Sequence, residues 1–223
     1  MRSLNREWAQ RSAIVLAAVL FLAVRAIERW PEFTLPSVVA SLESTTVLWG
    51  IALAIFLAQA WKWKMWRPWL VTLEDLGGCW TGVLRARRED GKYAPLPVVV
   101  EIRHALFRVS VTVWTQKSKS ISYISETYRD LDNDEQHLAY CYRAGAEIEY
   151  RDGNERHDGA ASLTLTGNGE CLRGEYWTDR RTGGQIDLTR RTKDACPDPK
   201  TLVQDLASKA AAEPLQGWAG ESA

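Results

Sequence analysis

The sequence carries no net charge, with 28 basic against 28 acidic residues over 223 positions, so it lacks the basic excess that general attachment to DNA or RNA requires. Any anion must be met locally. Its three histidines, His104, His137 and His157, are scattered, and there is no HExxH pair, no GxxxxGK[ST] phosphate loop and no GxSxG nucleophile turn. Enzymatic chemistry is not indicated, and neither a metal nor an organic cofactor is expected. The four cysteines, Cys79, Cys141, Cys171 and Cys196, show neither CxxC nor mixed Cys/His spacing, which argues against a zinc site and a dense disulfide framework. They are expected as unpaired thiols acting as small apolar side chains, in keeping with a reducing cytoplasm. The run Asp130, Asp132, Asn133, Asp134 opens like a calcium loop but puts Glu135 where the sharp turn needs glycine, and reads as a solvated hairpin turn.

What the chain has in excess is tryptophan, eleven in all, and long apolar sequence near its start. Residues 8–27 read WAQRSAIVLAAVLFLAVRAI, and roughly 20 helical residues span the ~30 Å hydrocarbon layer of a bilayer. A second stretch from Thr45 reads TTVLWGIALAIFLAQAW, and the flank KWKMW carries that span to about residue 66. Trp8, Trp30, Trp61, Trp63, Trp66 and Trp69 gather at the span ends, as an interfacial aromatic belt would. Arg2, Arg6 and Arg11 precede the first span, and Lys62, Lys64 and Arg67 follow the second. The positive-inside rule therefore puts both termini in the cytoplasm. A cleaved signal peptide is the rival reading of the first span, but no clean Ala-x-Ala site follows it. Gly50, Ala54 and Ala58 form a small-residue stripe that admits a second helix, either the first span or another protomer.

After Pro68, and clearly after Gly77 and Gly78, the pattern changes to alternating residues broken by turn signals, which is β-sequence. Candidate strands are 79–87, 98–104, 108–115, 118–130, 137–144, either 147–151 or 157–166, 171–178 and 184–190, about eight in up-and-down antiparallel order. Closure into a small lipocalin-like barrel hides both edges completely, with a sandwich as the alternative. The expected architecture is thus an all-β domain over 71–193, a two-helix transmembrane hairpin over 1–70, and a tail over 194–223. In the tail, Asp198 and Pro199 can start a short helix to about Ala212, with Leu202, Val203 and Leu206 on one side, before disordered residues. Along 108–115, Val109, Val111 and Val113 share one face and Ser110, Thr112 and Trp114 the other; periodicity leaves open which face lines the interior.

Two segments stand out. Gly78-Cys79-Trp80-Thr81-Gly82 has the GxWxG form with which lipocalin-like barrels plug one end by a tryptophan. The hairpin GEYWTDRRTGG at 174–184 places Arg180, Arg181, Thr178 and Thr182 around a turn beside Tyr176 and Trp177, groups able to pair with phosphates and stack on bases. A charged hairpin tip is the plainer explanation of the same residues.

Two N-terminal spans, a GxWxG-opened set of about eight strands and a closing Y-W-T-D-R hairpin are together similar to the bacterial CBASS transmembrane β-barrel effectors, the SMODS-associated, two-helix, β-strand-rich class. The resemblance covers roughly residues 8–192. It implies an inner-membrane antiphage effector whose cytoplasmic barrel senses a cyclic dinucleotide made by a partner CD-NTase. Binding would then drive self-association and disruption of the bilayer, killing the infected cell. For such a ligand, strand position and chemistry nominate Arg143, Arg180 and Arg181 for phosphate. Ser110, Thr112, Thr178 and Thr182 are nominated for hydrogen bonds, and Tyr140, Tyr142, Tyr176 and Trp177 for stacking. The competing expectations are a membrane-anchored lipocalin-like carrier of a small apolar molecule and, more remotely, a membrane-bound enzyme.

Overall fold

A computed structural model describes residues 18, 19, 22, 23, 26, 35–63, 65, 71–87, 93–130, 132–146 and 156–212. The expected first span, 8–27, lies outside the described residues apart from five helical positions. The turn at 89–91, the alternative strand at 147–151 and the tail beyond 212 lie outside them as well. The chain divides into two compact units, residues 1–73 with 105–107, and residues 74–104 with 108–223.

In the first unit, helix α1 runs Leu35–Ala58 and a 3-10 turn follows at Ala60–Lys62. Pro36 is tolerated because an amide in the first helical turn has no intrahelical acceptor. The helix begins before the expected span of 45–66 and ends ahead of its tryptophan-rich flank. Among the described residues no helix is long and apolar enough to cross a membrane. Val47, Leu48, Ile51, Leu53, Ile55 and Leu57 of α1 are exposed, whereas Trp61 is fully buried with Val71, Leu106 and Phe56. Trp61 is therefore a packing residue of this unit rather than part of an aromatic belt.

The second unit is a closed antiparallel barrel in sequential order. Its strands are β1 Gly78–Arg87, β2 Tyr93–Ala105, β3 Arg108–Trp114, β4 Ser118–Asp130, β5 Glu135–Ala146, β6 His157–Thr166, β7 Cys171–Thr178 and β8 Gly183–Thr192. Closure pairs β1 with β8, from Trp80↔Arg190 to Ala86↔Gly184, so no edge is left to template aggregation. β2 starts before the expected Val98, reaching through Pro95 and Pro97. Both prolines lie opposite β1, Pro95 facing Arg85 and Pro97 facing Val83.

The barrel interior is the valine face of β3. Val109, Val111 and Val113 join Val98, Val100, Ile102, Leu138, Leu163, Leu172, Ile186 and Leu188 in one buried cluster. Burying each such side chain stabilises the fold by about 1.5–3 kcal/mol. β3 and β4 pair directly only from Thr112↔Ile121 to Trp114↔Lys119. A bulge between Ser122 and Ile124 breaks the register of β4 below that point. There two hydroxyls replace the ladder: Ser122 Oγ accepts Val111 N–H at 2.9 Å, and Ser125 Oγ donates to the Val109 carbonyl at 2.8 Å.

One end of the barrel is closed by residues 74–77. Gln136 clamps the strap in both directions, accepting Glu74 N–H through Oε1 at 2.6 Å and donating through Nε2 to the Glu74 carbonyl at 2.9 Å. His104 Nδ1 accepts Leu76 N–H at 3.0 Å, and Trp80 Nε1 donates to the Leu76 carbonyl at 3.0 Å. Arg190 donates to the Asp75 carbonyl at 2.8 Å while its guanidinium lies 4.5 Å from the centroid of the Trp80 ring. Trp80 is thus the plug its sequence setting predicts. Outside the wall, helix α2, Pro199–Ala212, rests Leu202, Val203 and Leu206 on Val99 and Cys79. Cys79 and Cys196 are joined by a disulfide, which corrects the expectation of four unpaired thiols; Cys141 and Cys171 are free.

Candidate functional site

The end opposite the strap carries the β7–β8 hairpin, and there the barrel wall changes from aliphatic to aromatic. Tyr140, Tyr142 and Tyr176 all point inward, with ring centroids of Tyr140 and Tyr142 5.9 Å apart. Burial raises all three hydroxyls above the ordinary phenol range. At Tyr142 the neighbouring Tyr176 and the Asp179 carboxylate add to the effect of burial.

Small residues let the rings lie against the wall. A β-carbon at Gly159 would come within 2.5 Å of the Tyr142 Cζ and hydroxyl oxygen, and one at Gly184 within 2.9 Å of Tyr176 Cε1. The rings occupy the room that side chains at those positions would take.

At the rim, Thr178 and Thr182 bond each other, N–H to carbonyl at 2.9 Å and hydroxyl to hydroxyl at 2.7 Å. Arg180 and Arg181 stand exposed on the turn, Arg181 in the left-handed region with φ 59°. Asp158 and Asp179 cross-link β6 to the hairpin: Asp179 N–H donates to the Asp158 carbonyl at 3.0 Å, and Asp158 N–H to Asp179 Oδ2 at 3.3 Å.

Of the residues nominated from sequence, Tyr140, Tyr142, Tyr176, Thr178 and Thr182 come together with the two hairpin arginines at this end. Four do not line the lumen. Ser110 and Thr112 lie on the face of β3 opposite Val111, which rules out a hydroxyl-lined interior on that strand. Trp177 is 52% exposed, on the face opposite Tyr176. Arg143 points outward and is already engaged, forking onto Asp158 at 2.7 and 2.8 Å and lying 5.7 Å from the Tyr123 ring. That pairing lowers the Asp158 carboxyl and raises the guanidinium relative to their ordinary values. Gly159 was missed, and Gly184 and Asp179 lay in the singled-out hairpin without being nominated; glycine within strand sequence, where a ring packs on bare backbone, was the available signal for the two glycines.

A family model described as the Cap15 cyclic dinucleotide receptor domain matches residues 71–190, more than half of the chain. The match begins just before the strap and ends at Arg190, so it takes in both the plug and the tyrosine-lined mouth. No curated protein matches the sequence.

Proposed function

The chain belongs to the family of Cap15 cyclic dinucleotide receptor domains, and on that premise we propose that its barrel receives a cyclic dinucleotide through the mouth at Tyr142, Tyr176 and Thr178. The observation that carries this reading is the pair of inward tyrosines on glycine, at the end of the barrel away from the strap. A cyclic dinucleotide presents two flat bases and two phosphates. Stacking a base on an aromatic ring contributes about 1–3 kcal/mol, and phosphates need only a few donors, which Thr178, Thr182, Arg180 and Arg181 supply at the rim. We read the domain as a receptor and not an enzyme, on the strength of the family it belongs to.

The rest of the proposal concerns output. We propose that the apolar sequence at 8–27 and 45–66 forms an inner-membrane anchor with both termini cytoplasmic, supported by the exposed aliphatic side chains of α1. Ligand made by a CD-NTase would drive self-association and bilayer disruption, as in a CBASS effector. Binding shifts that equilibrium only if the assembled state holds the ligand better than the resting one. A second reading, a carrier of a small apolar ligand, has one observation in its favour: the barrel interior away from the tyrosines is aliphatic.

Thermal unfolding of the full chain in detergent separates the two. A ligand that binds only the folded state raises the midpoint with the logarithm of its concentration. Cyclic dinucleotides should do this and fatty acids should not; a shift with fatty acids alone would transfer the assignment to the apolar carrier.

A further inference from the structure

Helix α2 is fastened to the barrel in two ways of different durability. One is ordinary packing. Of its three contacting side chains only Val203 is fully buried, at 2% exposure, while Leu202 and Leu206 are half-covered. Asp198 caps its start through Thr201, accepting the hydroxyl at 2.6 Å. A 14-residue helix with so narrow a footprint is marginal in water by itself. The other fastening is covalent: Cys196, three residues before the helix, is bonded to Cys79 on β1, across 117 residues of sequence. Cys79 is wholly buried and Cys196 half-buried.

We propose that the Cys79–Cys196 bond is a redox latch that decides whether α2 stays on the barrel. A dithiol reductant is the co-reactant. Its thiolate attacks Sγ of Cys196, the more accessible sulfur; the Sγ–Sγ bond breaks and Cys79 leaves as a thiolate that takes a proton from water. The reductant's second thiol, deprotonated, then attacks its own sulfur in the mixed disulfide. That step releases Cys196 and leaves the reductant as a cyclic disulfide, two electrons having passed to the cystine. With the latch open, α2 keeps its packing on Val99 and Cys79 but loses its covalent tie to β1. Trp80, next to Cys79, keeps its bonds to Leu76 and its stack on Arg190, so the plug and the barrel persist. On a cytoplasmic face, where thiols are kept reduced, the latch would close under oxidising conditions.

The test uses the full chain in detergent, equilibrated with oxidised glutathione or with dithiothreitol and then alkylated under denaturing conditions. Two adducts are expected after oxidation, at Cys141 and Cys171, and four after reduction. In parallel, amide hydrogen exchange over 199–212 should accelerate at least tenfold on reduction, while β5 and β6 exchange unchanged. Cys196→Ser should exchange like the reduced protein under both conditions. Four adducts after oxidation, equal protection of α2 in both states, or loss of protection across the strands on reduction would each overturn the proposal.

Discussion

The Tyr142 ring lies across Gly159, so close that a β-carbon there would meet the phenol at 2.5 Å and the Trp177 carbonyl at 2.7 Å. Neither can yield freely, one being packed in the lumen and the other part of the β7 backbone. Gly159→Ala should therefore cost about 1–3 kcal/mol in denaturant unfolding and reorient the ring. In a Tyr142→Ala background the ring clash is gone and only the carbonyl contact remains. The two substitutions should be coupled by more than about 0.5 kcal/mol in a double-mutant cycle; strict additivity would show that ring and glycine are independent.

Removing the plug should be severe. Trp80 is wholly buried, bonded to Leu76 and stacked on Arg190. Trp80→Ala is expected to lose about 3–5 kcal/mol in equilibrium unfolding. Trp80→Phe, which keeps a ring but leaves the Leu76 carbonyl without its indole donor, should lose less. A cost below 1 kcal/mol for alanine would mean that the strap closes the barrel without it.

The seam between β3 and β4 makes a local prediction. Ser122→Ala and Ser125→Ala each remove one hydroxyl bridge to the β3 backbone, worth about 1 kcal/mol apiece. The Val111 amide, whose acceptor is the Ser122 hydroxyl, should exchange faster in Ser122→Ala, with amides of β6 and β7 unaffected. Unchanged Val111 exchange would contradict the assignment of that bridge.

Alkaline stability follows from the three lumen tyrosines. Burial raises their folded-state pKa values above the unfolded value of about 10. Above pH ~10 the unfolded chain therefore loses phenolic protons that the folded chain retains. Stability should be fully present below that pH and should fall as pH rises past it. Urea midpoints between pH 8 and 11 would check the sign. In Tyr140→Phe the decline should be shallower, because one buried phenol no longer contributes.

Much of this fold is legible in sequence because a half-buried strand must alternate and its turns must carry glycine, asparagine or aspartate. The bounds 118–130 and 171–178 follow from that rule, whereas it left 157–166 open beside 147–151. Pro95 and Pro97 hid the start of β2, since proline usually ends a strand. Alternation shows which residues share a face and is silent on which face is inside, so Ser110 and Thr112 entered the candidate set although Val111 points inward. The same rule had more to give: Tyr176 and Trp177, or Tyr142 and Arg143, are neighbours on one strand and so must face opposite sides. The Cys79–Cys196 pair was beyond reach, because two cysteines so distant in sequence meet only once the barrel has closed and α2 has folded back on it.

The most direct test of the central claim is a calorimetric titration of the full chain in detergent with a panel of cyclic dinucleotides. Wild type should give saturable heat with at least one of them. Tyr176→Ala should weaken that binding at least tenfold, and Arg180→Ala and Arg181→Ala should weaken it by less. No heat with any cyclic dinucleotide, or binding indifferent to Tyr176, would contradict the account.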